Sequence, residues 1–374
     1  TVKLKIDKAA IDEAYKQITG DLSEQDRDDL AKRAAKMAVL VKNPERVRAV
    51  VEHIAQHFRT KIEPNGFKAQ VVVFDRECCV LYMRVMDELI GPEASAIVMS
   101  SAQHDKPEWK EHIRDKDAVY KVTEGMDAVI HMAAIRITAC AADPREAMEV
   151  MNDGTFNVID AARQAGVKKV LAASSASILG LADSFPTTED HHPYNNRTWY
   201  GASKIMLEGL LRSYNDMYGL NYVAMRYFNV YGPRMDVEGK YTEVLVRWVQ
   251  RISQGVPPLI LGDGKTSMDF IYIEDLARAN VLALKSDVSD EVFHIASGVE
   301  TSLNELAATT MKVMAAPADM VPEYGPERKV NAVSRRLSST SKAERLLGFK
   351  AEVSLEEGVR RFVTWWEANK DRFN

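Results

Sequence analysis

Asp143-Pro-Arg-Glu-Ala-Met-Glu-Val-Met-Asn-Asp-Gly-Thr-Phe-Asn-Val-Ile-Asp-Ala-Ala-Arg-Gln-Ala-Gly166, continuing into Val167-Lys-Lys-Val-Leu-Ala-Ala-Ser-Ser175, sets the architecture of this chain. Asp143 to Gly166 reads as one long helix closed by a glycine in the usual C-terminal position. Lys169 to Ala173 is a short apolar run of the kind that forms a strand buried on both faces. Working outward, Val129 to Ala134 is a similar strand, Trp199 to Tyr214 a further helix and Tyr222 to Asn229 a third strand. Strands and helices alternating in this way predict an α/β fold with a parallel sheet and helices on both faces. Downstream, Ser302-x-x-Glu305 and Ser354-x-x-Glu357 are capping boxes that open later helices. The last helix carries Val359, Phe362, Val363 and Trp366 on one face, which assigns Trp365 and Trp366 to packing.

The chemistry sits in the same stretch. Tyr200 and Lys204 belong to Tyr200-Gly-Ala-Ser-Lys204, and residues four apart share a helix face. A cation beside a phenol favours the phenolate and lowers its pKa, as a general base near neutrality requires. Ser175, at the end of the apolar strand, is placed to hydrogen-bond the same substrate hydroxyl. The set suits hydride transfer to and from a nicotinamide.

Further motifs follow in order: Asp127-Ala-Val-Ile-His-Met-Ala-Ala134, Gly154-Thr-Phe-Asn-Val158, Ser174-Ser-Ala-Ser177, Arg226-Tyr-Phe-Asn-Val-Tyr-Gly-Pro-Arg234, Gly262-Asp-Gly264, Asp269-Phe-Ile-Tyr-Ile-Glu-Asp275 and Ser341-Lys-Ala-x-x-x-Leu-Gly348. With these, residues from about 115 to 374 resemble an extended short-chain dehydrogenase/reductase of the nucleotide-sugar epimerase/dehydratase group. The resemblance implies a Rossmann-like doubly wound sheet with a smaller C-terminal α/β substrate-binding region, and NAD as cofactor. It implies a UDP-sugar substrate whose C4 gives up and regains a hydride. Ser175, Tyr200 and Lys204 would be catalytic. His131, Ala133, Ala134, Ala173, Ser174, Tyr200, Lys204, Tyr227 and Phe228 would line the cofactor. Ser175, Asn229 and Arg328 would meet the substrate, with Arg328 on its diphosphate. No metal is implied, and His191–His192 read as part of a loop bordering the cleft. Dehydratases of the group follow the serine or threonine with acidic residues; Ala176 and Ser177 stand here, which favours an epimerase over a dehydratase or decarboxylase. Met268 replaces a frequent arginine, and Met151 a frequent asparagine. A homodimer through the helices at 143–166 and 199–214 is also implied.

The first 112 residues read differently. Such an enzyme should open with a strand, a Gly-x-x-Gly-x-x-Gly turn and a helix whose N-terminus faces the pyrophosphate. Before position 150 the glycines are Gly20, Gly66, Gly91 and Gly125, with no two in one turn. Glu111-His-Ile113 stands where Gly-Asp-Ile is usual. Asn43-Pro-Glu-Arg-Val-Arg through Phe58, with Pro64-Asn-Gly-Phe-Lys through Glu77, resembles part of the helicase-type motor domain of a type I restriction enzyme's translocating subunit. Its ATP-binding loop, Gly-x-x-x-x-Gly-Lys-Ser/Thr, is missing. The chain reads as a chimera of 1–112 and 113–374, joined near residues 111 to 115, and Thr1 in place of Met fits a fragment. Gln70 to Phe74, Arg76 to Ile90 and Ser95 to Met99 form a β-α-β pattern that could extend the sheet. Its turn, Phe74-Asp-Arg-Glu77, puts carboxylates where the pyrophosphate should rest, so NAD affinity is expected to be weak or lost.

Composition narrows the setting. Residues 1–112 hold 18 Lys+Arg against 19 Asp+Glu, which argues against a nucleic-acid footprint. Three cysteines without framework spacing suggest a reducing compartment. Neither a membrane-spanning run nor a signal peptide is evident. A cytoplasmic enzyme is the expectation.

Overall fold

The computed structural model describes residues 41–62, 76–91, 115–237, 243–327 and 333–370. They fall into two compact units divided between Val122 and Thr123. In the first, helix α1 (Pro44–His57) starts at Asn43, whose side chain accepts the Arg46 N–H at 3.0 Å, with Pro44 in the first turn. Val47, Val51 and Ala55 bury one stripe of it against Leu81, Val85 and Met86 of α2 (Arg76–Ile90). The Arg48–Glu88 ion pair links the two helices, and Lys42, just ahead of α1, pairs with Glu77 of α2. Helix α2 has the bounds read from the sequence, and Cys78 within it is buried. The flanking runs Gln70–Phe74 and Ser95–Met99 lie outside the described residues.

The second unit is built on four parallel strands in the order β1 (Ala128–His131), β2 (Lys169–Ser175), β3 (Tyr222–Tyr227) and β7 (Glu291–Ile295). Strand β2 is buried throughout, because both of its faces are covered. Val170 and Ala172 pack with Tyr222 and Ala224 beneath α3 (Gly154–Gln164) and α4 (Trp199–Tyr218). Their alternates Leu171, Val223 and Met225 pack with α6 (Ile273–Lys285) and α8 (Ser341–Leu347). The fold is therefore the Rossmann-like, doubly wound α/β architecture.

Three details differ from the sequence reading. The helix expected over 143–166 runs as Pro144–Ala147, a π-helical segment Met148–Asp153, and then α3. The wider turn lets consecutive Met151 and Asn152 both face inward, where they are buried. The strand expected to reach Ala134 ends at His131, whose partner Ala172 closes the ladder. The strand expected over 222–229 breaks at Phe228: β4 (Asn229–Tyr231) pairs in a second sheet with β6 (Ser267–Tyr272), which also carries antiparallel β8 (Glu300–Ser302).

The smaller C-terminal region adds parallel β5 (Leu259–Leu261) and β9 (Glu323–Gly325). Its core joins Trp248 and Val249 of α5 (Val244–Ser253), Leu306 of α7 (Leu303–Val313), and Val359, Phe362 and Trp366 of α9 (Leu355–Asn369). Trp365 packs against it, so both tryptophans are structural. Ser302 forms the full reciprocal capping box with Glu305, while Ser354 accepts from the Glu357 N–H alone. Among the described residues no helix is long and apolar enough to cross a membrane.

Candidate active site

Ser175 ends β2, and its hydroxyl accepts the Ser177 N–H at 3.1 Å, turning the chain into a buried 3₁₀ segment, Ala176–Leu179. Tyr200 and Lys204 lie at the start of α4, capped by Thr198, which accepts the Gly201 N–H at 3.1 Å. Gly201 lets these pieces meet. A Cβ there would lie 2.1 Å from the Asn196 side-chain oxygen and 2.8 Å from the Ser177 carbonyl. The close approach sets the Tyr200 phenol near Ser175, whose hydroxyl favours the phenolate.

The electrostatics differ from the expected pairing. Burial raises the Tyr200 phenol; the Ser175 hydrogen bond and the charge of Arg336 oppose it, while the Cys140 thiol adds to the rise. Lys204 turns its ammonium to the Ala173 carbonyl, at 2.6 Å, and sits 5.7 Å from the centre of the Tyr200 ring. Burial pushes that ammonium down to about 8. A second cation, Arg336, which the sequence reading did not single out, also favours the phenolate. Burial pushes its own guanidinium down to about 10.

Behind Ser175 stands a buried ion pair. Arg226 on β3 donates from Nε and Nη2 to the two oxygens of Glu208 on α4, at 2.9 and 2.8 Å, and Ser174 donates to the same carboxylate. Arg226 also reaches the Glu189 carbonyl at 2.8 Å and His294 Nε2 at 3.4 Å. Asp269, in the recognised Asp269–Asp275 segment, is raised by burial yet accepts from Ser297 N–H and O–H and from Gly298 N–H. It ties β6 to the end of β7.

The other residues singled out earlier are placed as follows. His131 is buried beside Thr155, Nε2 to Oγ1 at 3.0 Å; the threonine hydroxyl donates to the Met151 carbonyl, so His131 is the donor in this contact. Ala133 and Ala134 are exposed beyond the end of β1. Tyr227 donates its hydroxyl to Asn280 of α6 at 2.6 Å. Phe228 is buried edge-to-face against His294. Asn229 donates its amide to the Asp269 carbonyl at 3.1 Å. Met151 accepts the Ile135 N–H at its sulfur, at 3.3 Å. Arg328 lies outside the described residues. In the 183–195 loop, ligand-type atoms of Asp183, His191 and His192 come within 4.8 Å of one another. Each ring nitrogen there already has a partner: His191 with the Asp183 N–H and the His192 carbonyl, His192 with Asp183 Oδ2 and the Tyr194 N–H. These bonds lock the loop.

Two buried histidines give a pH prediction. Burial and the Lys204 charge push His131 down to about 4; burial and Arg226 push His294 down to about 3. Both are neutral in the fold, whereas in the unfolded chain they take protons below about pH 6.5. Their contribution is complete above pH 6.5 and is lost as pH falls through about 4 and about 3, at roughly 1.4 kcal/mol per pH unit per histidine. Urea midpoints should be flat from pH 8 to 7 and fall from pH 6.5 to 5. His294→Gln should flatten that slope; an unchanged slope would contradict the assignment.

A strand-end serine, a tyrosine at the start of the neighbouring helix and a buried lysine one turn on thus lie together beside the doubly wound sheet. The family described as NAD dependent epimerase/dehydratase matches residues 84–334. The chain belongs to that family. It is 33% identical over 285 residues to the UDP-glucose 4-epimerase of Mycolicibacterium smegmatis, covering 75% of this chain and 89% of that one. The crystal structure of a UDP-glucose 4-epimerase from Thermotoga maritima with UDP-glucose superposes with a TM-score of 0.66 at 29% identity, covering 77% and 96% of the two chains. A UDP-glucuronic acid 4-epimerase from Bacillus cereus, in complex with UDP-glucuronic acid and NAD, gives 0.61 at 25% identity over 67% and 78%. A decarboxylase and a dehydratase acting on nucleotide sugars are also among the relatives. The protein is of the NAD-dependent epimerase and dehydratase enzyme class.

The residues fit the nicotinamide end of that cofactor. Lys204 donates to Ala173 and retains two further N–H donors suited to a ribose diol. For the pyrophosphate end, the sequence holds no glycine-rich turn ahead of β1.

Proposed function

We propose that this chain is a UDP-sugar 4-epimerase. The observation carrying this reading is the placement of Ser175 at the end of β2 and Tyr200 at the start of α4, with Lys204 one turn on and donating to Ala173 of the same strand. Bound NAD would supply the hydride acceptor and, on return, the donor. Tyr200 takes the proton of the C4 hydroxyl and gives it back to the opposite epimer. Ser175 bridges that hydroxyl and the phenol, and the field of Arg336 helps the phenol to ionise despite its burial. Lys204 holds the nicotinamide ribose, with His131 and Ser174 walling the same side. Ala176 and Ser177 put no carboxylate after Ser175, which favours epimerisation over elimination or decarboxylation.

The enzyme is read as a cytoplasmic homodimer pairing through α3 and α4. Residues 1–112 are read as a piece of a restriction-enzyme motor joined to the epimerase part, with the α1–α2 pair as its folded remnant. The family match beginning at residue 84 overlaps that piece. Titration with NADH, followed by its fluorescence, tests the reading. Saturable binding in the micromolar range is expected of a chain that keeps a working cofactor site. A folded chain that binds no NADH would show Ser175, Tyr200 and Lys204 to be an active site without a cofactor.

A further inference from the structure

Residues 333–339 run as an extended segment between β6 and the loop at Thr187. The Arg336 N–H donates to the Ser267 carbonyl at 2.9 Å, the Thr187 N–H to the Leu337 carbonyl at 2.8 Å, and the Ser339 N–H to the Thr187 carbonyl at 2.8 Å. Consecutive side chains of such a segment point to opposite sides. Arg335 goes outward. It grips both oxygens of Glu300, from Nε at 2.7 Å and Nη2 at 2.8 Å, and lies 4.4 Å over the Phe185 ring. Arg336 goes inward, is 9% exposed, and has no hydrogen-bond partner at Nε or Nη2 among the described residues. Those two nitrogens form the edge of the guanidinium that takes a carboxylate in two parallel bonds, the edge Arg335 uses on Glu300. A buried guanidinium with its fork unfilled is costly to keep unless a ligand fills it. Its charge is felt at the Tyr200 phenol, where the reacting hydroxyl would sit.

We propose that Arg336 receives a carboxylate carried by the sugar next to its reacting carbon, so that the substrate is a UDP-hexuronic acid rather than a neutral UDP-hexose. The inference rests on the 4-epimerase reading of the site. With C4 at Tyr200, a C5 carboxylate lies on the neighbouring ring carbon, whereas the diphosphate leaves from C1 across the ring. Bidentate geometry excludes neutral hydroxymethyl groups from the same bonding, because they offer one oxygen and no charge.

Calorimetric titration of the NAD-supplemented chain with UDP-glucuronate, UDP-glucose and UDP tests this. UDP-glucuronate should bind at least about tenfold more tightly than UDP-glucose, as expected for a buried charge-assisted pair. Arg336→Gln should remove that preference while leaving UDP-glucose and UDP within about twofold. Equal wild-type affinity for the two sugars would overturn the proposal. So would an equal loss of all three ligands in the variant, which would place Arg336 on the diphosphate. Failure to bind even UDP would overturn the 4-epimerase reading itself and this inference with it. Arg336→Met gives a ligand-free check. Removing an unpaired buried charge should raise Tm by about 2 °C or more, whereas a fall would make Arg336 a structural residue and overturn the proposal.

Discussion

Tyr200→Phe is expected to lower kcat for UDP-sugar epimerisation by about 10²- to 10⁴-fold, the range for losing a positioned general acid–base group. The fold should survive, because the ring keeps its place beside Cys140, Ala147 and Met151. Substrate affinity should change little, so the loss should appear in kcat rather than in KM. Ser175→Ala should cost less, since the phenol remains. Steady-state kinetics at saturating NAD checks both, with circular dichroism to confirm folding. A Tyr200→Phe variant within tenfold of wild type would remove the phenol from the chemistry.

Glu208→Ala is expected to be the most damaging single change to stability outside the apolar cores, at about 3–5 kcal/mol. Both partners of the Arg226–Glu208 pair are largely buried, and their bonds are bidentate. Truncating the acid leaves the Arg226 guanidinium in the interior with only the Glu189 carbonyl and a long contact to His294. It also deprives Ser174 of its acceptor, next to Ser175. Urea unfolding should show a lower midpoint with an unchanged slope. Replacing Arg226 and Glu208 together by apolar residues of similar volume should recover much of the loss. A Glu208→Ala variant as stable as wild type would mean that water or another group replaces the carboxylate.

How far the sequence carried can be judged from particular elements. Helix Arg76–Ile90, the helix read over 199–214 that runs on to Tyr218, and the buried strand read over 169–173 that runs on to Ser175 were legible because apolar spacing, caps and glycines agreed there. The switch of sheets at Phe228 was not, since an apolar run reports burial and says nothing about which strand lies alongside. The π-helical segment at 148–153 was hidden for a similar reason: one added residue per turn hardly alters the periodicity. Tyr200, Lys204 and Ser175 could be found through their spacing, whereas Arg336 stands 136 residues beyond Tyr200 and gave only an adjacent arginine pair as a sign. The arginine singled out instead, Arg328, falls outside the described residues. Arg226 was quoted within a motif, but its pairing with Glu208 joins β3 to α4 and left no local trace.

The most direct test of the account is to incubate the chain with NAD and a UDP-sugar, UDP-glucuronate first and UDP-glucose second, in D₂O and follow the products by NMR. The expected product is the C4 epimer, with hydrogen and not deuterium at C4 and no net accumulation of NADH, because the hydride leaves and returns on the same enzyme. A decarboxylated or 6-deoxy product, or no turnover by a chain shown to bind NAD and the sugar, would contradict it.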